Sequence, residues 1–306
     1  MRTIAVQGSP RLAPLLVRAA LTARGRGGPL PDTRVEQHGV VVDRIRLAAY
    51  QRLCGYVVRD ALPSTYLHVL SFALQATLMA ERGFPLPLPG LVHVANSLEL
   101  HRVVDAAEPL SYLVRAEGLR DHPRGRQVDL VSTASVAGEM VWSGRSTYLA
   151  RSDAASGSSA PEGASGATGP DVTAHPDGAA GPEGPDNLPV LGTDGPPTAR
   201  WRVPADIGRR YAAVSGDVNP IHLAAPAARA FGFPRAIAHG MWTAARCLAS
   251  LEPWTPPAHE VRIAFRRPVL LPSTVELRTR PHDGGWLLGL SSRSGTEHLR
   301  GSVRPL

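Results

Sequence analysis

The stretch VLSFALQATLMAE, from Val69 to Glu81, is apolar on nearly all sides. A helix of that composition has to be buried. The four segments after it, LVHVANSLEL (residues 91–100), LSYLVRAEG (110–118), VDLVSTASV (128–136) and MVWSGRSTYLA (140–150), carry apolar residues with a period near two and predict strands of an antiparallel sheet. A sheet wrapped around one central helix covers that helix and buries its own apolar face at the same time.

The same order returns in the last third of the chain. A helix-like piece at 207–214 and the turn-rich SGDVNP (215–220) lead to a helix MWTAARCLASLE (241–252). Strand-like segments follow: HEVRIAFRRPVL (259–270), STVELRTR (273–280), GWLLGLSSR (285–293) and EHLRGSVRP (297–305). Tyr50, Cys54 and Gly55 match Tyr211, Ser215 and Gly216 in spacing, and His68 stands before the first long helix as His239 stands before the second. Gly138 and Gly144 bracket one late strand as Gly295 and Gly301 bracket the other. These agreements in one order predict two copies of one fold: an α+β chain with two antiparallel sheets, each wrapped around a central helix.

Residues 152–197 are almost entirely Gly, Pro, Ala, Ser, Asp and Glu with no aromatic, too little apolar surface to offset ordering entropy, and so predict a disordered linker between an N-terminal domain (1–151) and a C-terminal domain (198–306). From 152 to 199 there are seven acidic residues and no basic one, so with the whole chain at +7 the remainder carries +14. All of the 33 Lys and Arg residues are arginine, which excludes Schiff-base chemistry and a phosphate-loop lysine. The arginines are scattered over strands and loops, with no recognition helix or aromatic stacking pattern, so nucleic acid is not an expected partner. Cys54 and Cys247 form no C-x-x-C pair, which argues against a disulfide framework or thiolate zinc site and suits a reducing compartment. Gln7, Gly8, Arg11 and Arg18 interrupt any secretory apolar segment, and the longest apolar run, Val69 to Ala80, is shorter than the ~20 residues a membrane span needs. The expectation is a cytoplasmic protein.

The second copy opens with Tyr211-Ala-Ala-Val-Ser215-Gly216-Asp217-Val-Asn219-Pro220-Ile-His222, and Ala238-His239-Gly240-Met241 follows at the start of its central helix. This resembles the MaoC-type family of (R)-specific enoyl-CoA hydratases and 3-hydroxyacyl-thioester dehydratases, whose hotdog fold carries S-G-D-x-N-P-x-H and then A-H-G-M. In the first half, LPSTYLHVLSF (62–72), Phe84-Pro85 and Gly90-Leu-Val-His93 resemble the N-terminal half of fused, double-hotdog members. The resemblance implies reversible hydration and dehydration of trans-2-enoyl and (3R)-hydroxyacyl thioesters of coenzyme A or acyl carrier protein, with no metal and no cofactor. A fused pair also supplies the pairing that single hotdogs obtain by dimerising, so a monomeric pseudo-dimer or a homodimer is expected.

Loss of water from a 3-hydroxyacyl thioester needs a base for the α-proton, an acid for the departing hydroxyl and donors for charge growing on the thioester oxygen. Asp217 and His222, on a turn entering a helix, can converge on one water, the role the resemblance assigns them. Asn219 and Pro220 suit the loop between them. Gly240 opens a helix whose first N–H groups lack intrahelical acceptors, which suits it to bind the thioester oxygen. His239 either joins the substrate site or packs at the helix entrance. Arg266 and Arg267 either meet coenzyme A phosphates or are solvated. In the first copy Tyr56, Val58 and Ala61 stand where Asp217, Asn219 and His222 stand, so that half is expected to shape the pocket, with Phe72, Leu74, Leu78 and Met79 lining an acyl tunnel. Two alternatives are a hotdog thioesterase, which needs a carboxylate that neither central helix contains, and a non-catalytic acyl-thioester binding protein, against which the Asp217–His222 pair argues.

Overall fold

The computed structural model describes residues 2–8, 10, 12, 14–15, 25–88, 90–151, 187–192 and 195–306. In the first half, α1 (Arg44–Cys54) starts at Asp43, whose carboxylate accepts the N–H groups of Ile45 and Arg46, and stops at Gly55 in the left-handed conformation. The central helix α2 (Ser64–Ala80) follows, then β3 (Leu91–Leu100), β4 (Leu110–His122), β5 (Gly125–Val136) and β6 (Glu139–Arg151). Before them come β1 (Arg2–Ala5) and β2 (Thr33–Val40). The second half runs β7 (Ala199–Val203), α3 (Ile207–Ser215), α4 (Pro220–Leu223), α5 (Ala225–Ala230), the central helix α6 (Gly240–Ala249), β8 (His259–Phe265), β9 (Ser273–His282), β10 (Gly285–Ser292) and β11 (Glu297–Pro305).

The duplication is visible in the strand order. Around α2 the order is β2-β4-β5-β6-β3, and around α6 it is β7-β9-β10-β11-β8. Gly144 of β6 pairs with Leu98 of β3 as Gly301 of β11 pairs with Ile263 of β8, which superimposes the two glycine pairs read from the sequence. The two sheets do not end as separate layers. β3 and β8 pair antiparallel, from Ala95 opposite Ala264 to Leu100 opposite His259, and join them into one eleven-stranded sheet. Each half thereby covers the other's inner edge, where unpaired N–H and C=O groups would otherwise stand. The exception to antiparallel pairing is β1, which runs parallel to β2.

Two expectations change in detail. The first central helix begins at Ser64, so His68 lies on its second turn and not ahead of it. The early start is anchored by packing: Thr65 and Tyr66 are fully buried, and Thr65 Oγ1 accepts a hydrogen bond from Tyr50 at 2.9 Å. The composition of 152–197 reads as disordered throughout, but at its end Arg300 donates to the Leu188 carbonyl (3.1 Å) and Leu191 packs over Gly289 of β10. Residues 152–186 lie outside the described residues.

Candidate active site

The second-half motif folds into a compact loop between α3 and α4. Gly216 ends α3 at φ 80°, a left-handed conformation that turns the chain into the loop. The Asp217 N–H donates to Ser215 Oγ (3.1 Å), and the Asp217 carboxylate accepts the N–H of Asn219 (3.2 Å). Asn219 in turn caps α4, its side-chain oxygen accepting the N–H of Ile221, with Pro220 at the first helical position. This places His222 on α4, where Nδ1 donates to the Ile237 carbonyl at 2.9 Å. A carbonyl only accepts, so Nδ1 carries the proton and the neutral ring keeps a lone pair on Nε2.

His239 sits at the N-cap of α6, almost wholly buried, and its Nε2 donates to the backbone carbonyl of Asp217 at 3.0 Å. It thus ties the Asp217 loop to the head of α6 and lines the same cavity. Gly240, next in sequence, heads α6 and lines the same cavity as Asp217 and His222. The ligand atoms of Asp217, His222 and His239 lie within 4.8 Å of one another. His239 Nε2 donates to the Asp217 carbonyl, and its Nδ1 is buried without a partner.

Burial shapes the charges. It raises the Asp217 carboxyl above its ordinary value, against the opposing pull of His222 and the Asn219 N–H. The same burial lowers His222 and drives His239 well down, the latter helped by its histidine neighbour. Both imidazoles are thus neutral at neutral pH.

The cavity holds about 470 Å³ and runs from this pair along the first half's central helix, where Val69, Phe72, Ala76 and Met79 line it. Phe72 and Met79, two of the four residues expected along an acyl tunnel, are among these. Leu74 and Leu78 do not line it; they are fully buried in the core, because α2 is sheathed by sheet on the side they occupy. Arg266 and Arg267 reach the cavity wall, and Arg266 is buried and 3.8 Å from Glu297, so it is not a solvated strand arginine. In the first half Val69 follows His68 as Gly240 follows His239. The early start of α2 puts its N–H inside a helix, so that half lacks an open amide donor as well as the acid–base pair.

Sequence reading missed several residues around the site. Gly208 of α3 lies against α4 so tightly that a Cβ there would stand 1.9 Å from the His222 carbonyl oxygen. His68, His93 and Tyr148 also face the cavity from the first half. Polar side chains within an otherwise apolar helix and strand were the available signal.

A central helix wrapped by an antiparallel sheet, twice in one chain, with a shared cavity that ends between an Asp–His pair and a helix N-terminus, defines a double-hotdog protein. Residues 190–284 match the family model of the MaoC-like domain. Over 296 residues the chain is 36% identical to 3-hydroxyacyl-thioester dehydratase X of Mycobacterium tuberculosis, covering 95% of this chain and 97% of that protein. The crystal structure of HtdX from Mycobacterium tuberculosis is similar with a TM-score of 0.73 and 33% identity, covering 89% of this chain and all of the other. A MaoC-like dehydratase from Phytophthora capsici shares the fold at 16% identity, with a TM-score of 0.66 over 90% of this chain and 95% of its own. The chain belongs to the MaoC-like dehydratase family, in its double-hotdog form.

Proposed function

We propose that this chain is a hydro-lyase that adds water reversibly to trans-2-enoyl thioesters to give (3R)-hydroxyacyl thioesters in acyl metabolism. The observation that carries the reading is the placement of Asp217 and His222 within 4.8 Å of each other at the cavity end that also presents Gly240. In the hydration direction, a water held between the Asp217 carboxylate and His222 Nε2 loses a proton to that pair as its oxygen bonds to C3. The electron pair of the C2–C3 double bond moves toward the thioester oxygen, which the Gly240 N–H steadies. C2 then takes the proton back, and the (R) configuration follows from the single face of the double bond that the pair addresses. Dehydration is the same path reversed.

In this reading residues 198–306 carry the chemistry, residues 1–151 shape the acyl pocket, and residues 152–197 tether them. The β3–β8 pairing supplies the hotdog pair within one chain, as a monomeric pseudo-dimer or as one subunit of a homodimer. The carrier is coenzyme A or acyl carrier protein. Two buried free cysteines suit the cytoplasm, and among the described residues no helix is long and apolar enough to cross a membrane.

Crotonyl-CoA tests the reading. A hydratase bleaches the conjugated thioester band without releasing thiol; thiol release would instead identify a thioesterase, and neither change would leave only an acyl-thioester binder.

A further inference from the structure

Three rings run side by side along the first-half wall of the cavity. His68 and His93 have centroids 5.9 Å apart, His93 and Tyr148 are 4.7 Å apart, and both pairs are inclined by 21°. Their hydrogen bonding is unequal. The Tyr148 hydroxyl donates to Gln75 Oε1 (3.2 Å), and Gln75 donates onward to Ser132 (3.0 Å). His93 Nε2 accepts from the Asn96 amide at 3.2 Å. His68 is 3% exposed and, among the described residues, its ring makes no hydrogen bond; Nδ1 is sealed within the protein, which leaves Nε2 as the nitrogen turned to the cavity that His68 lines.

A neutral imidazole always presents one N–H and one lone pair, and leaving both unmatched in a buried site costs stability. Of the two nitrogens, only Nε2 can be matched from the cavity. The position of the ring stack narrows what matches it. The Phe265 ring lies 5.1 Å from His93, and its edge comes 3.0 Å from where a Cβ on Gly240 would stand, so the stack begins one ring's width from the thioester end. An acyl chain leaving Gly240 passes Phe265, then His93 and His68, with Val69, Phe72, Ala76 and Met79 as apolar wall. Plain hydrocarbon offers His68 nothing. A hydroxyl on the chain can pair with Nε2, accepting its proton or donating to its lone pair according to the tautomer.

We propose that His68 is a specificity residue that hydrogen-bonds a hydroxyl carried by the acyl chain beyond C3, so that chain-hydroxylated acyl thioesters are preferred over plain ones. The proposal rests on the acyl-thioester reading above, and its test is chosen to be independent of turnover. Calorimetric binding of octanoyl-CoA, which cannot be hydrated, is compared with that of its 5-, 6-, 7- and 8-hydroxy derivatives. One or more hydroxy isomers should bind about three- to tenfold more tightly than octanoyl-CoA, the range of one buried neutral hydrogen bond. In His68→Phe the ratio of hydroxy-isomer to octanoyl-CoA affinity should fall to about one. The wild-type protein gives a second readout: the ring-nitrogen NMR resonances of His68 should move with the preferred hydroxy ligand and not with octanoyl-CoA. The proposal is overturned if no isomer outbinds octanoyl-CoA, if none of the ligands binds, if the preference survives in His68→Phe, or if both ligands move the resonances alike, as ordered water alone would predict. Failure to hydrate trans-2-octenoyl-CoA would overturn the reaction reading and leave this binding comparison standing.

Discussion

The imidazoles of His222 and His239 stack with centroids 3.7 Å apart and planes inclined by 26°, His222 bonded through Nδ1 to the Ile237 carbonyl and His239 through Nε2 to the Asp217 carbonyl. In the proposed reaction one ring does chemistry, while the other is bonded to the loop that carries its carboxylate partner. Two close imidazoles cannot both be charged at low cost, which adds to burial in holding them neutral.

Asp217→Asn and His222→Ala should each lower kcat by about 10²–10⁴-fold, the contribution of a positioned acid–base group, with melting temperature close to the parent. Because burial holds His222 below its ordinary 6.5, kcat/KM should stay flat across neutral pH and fall only on the acid side of that value. Parent-like hydration of crotonyl-CoA by either variant would remove the assignment.

His239 acts through the Asp217 carbonyl, so its variants separate positioning from packing. His239→Leu leaves that carbonyl unheld, and a shift of the loop by about 1 Å should cost about 10²-fold in kcat with KM little changed. His239→Gln, which keeps an N–H donor, should recover most of the loss. Equal losses in the two variants would assign His239 to packing alone.

Acid should unfold this protein early. Burial lowers His68 to about 4 and His93 to about 3, and it also lowers His222, His239, His259 and His298. Between pH 6.5 and each folded value, the unfolded chain binds a proton that the native one refuses, so stability is complete above 6.5 and is lost as pH falls. Each such histidine contributes about 1.4 kcal/mol per pH unit in its window. Asp217, with its raised value, opposes this but is one group against six. Melting curves should be level above pH 6.5 and drop steeply below it, and His68→Phe should shallow the drop; an unchanged slope would contradict the burial argument.

Ala76 lines the cavity and Ala73, three residues earlier, does not. Ala76→Trp should therefore depress kcat/KM for long enoyl thioesters far more than for crotonyl-CoA, since each excluded methylene forfeits about 0.8 kcal/mol of burial. Ala73→Trp is the control. Equal losses for short and long substrates in Ala76→Trp, with a lowered melting temperature, would mean that this helix face is only core.

Replacing residues 156–184 by a brief Gly/Ser segment, with 187–192 kept, should alter melting temperature and turnover little. Loop closure changes by only about 0.6 kcal/mol per doubling of length. A large loss of either would assign the tether a packing role.

How much of this was legible depends on the range of the contacts involved. β3 was readable to its ends because its apolar run is bounded by Gly90 and a change of pattern after Leu100. β2 was not, since TRVEQHGV mixes polar residues into a strand whose order comes from β1 and β4 on either side of it. The helix α1 was seen only as a matching stretch: RIRLAAYQRLC has no clean apolar stripe, and its buried Tyr50 and Gln51 are held by the first half's loops and rings. Asp217, Asn219, His222 and Gly240 were legible because their chemistry lies within two short motifs. His93 and Tyr148 were not, because they reach the cavity from two paired strands of the opposite copy, a proximity that only the assembled sheet creates.

The β3–β8 seam also decides what each substitution can reach. In a pair of identical hotdog chains, every change that widens an acyl pocket is written simultaneously into the copy that performs the reaction, and a bulky or polar residue useful on one side must be tolerated on the other. Here the two sides of the seam are different sequence. Val69 can sit inside a helix where Gly240 must head one, and His68 can be kept, moved or lost without touching His239. On the proposed function, substrate choice and bond chemistry occupy separate stretches of one chain, and can be altered one at a time.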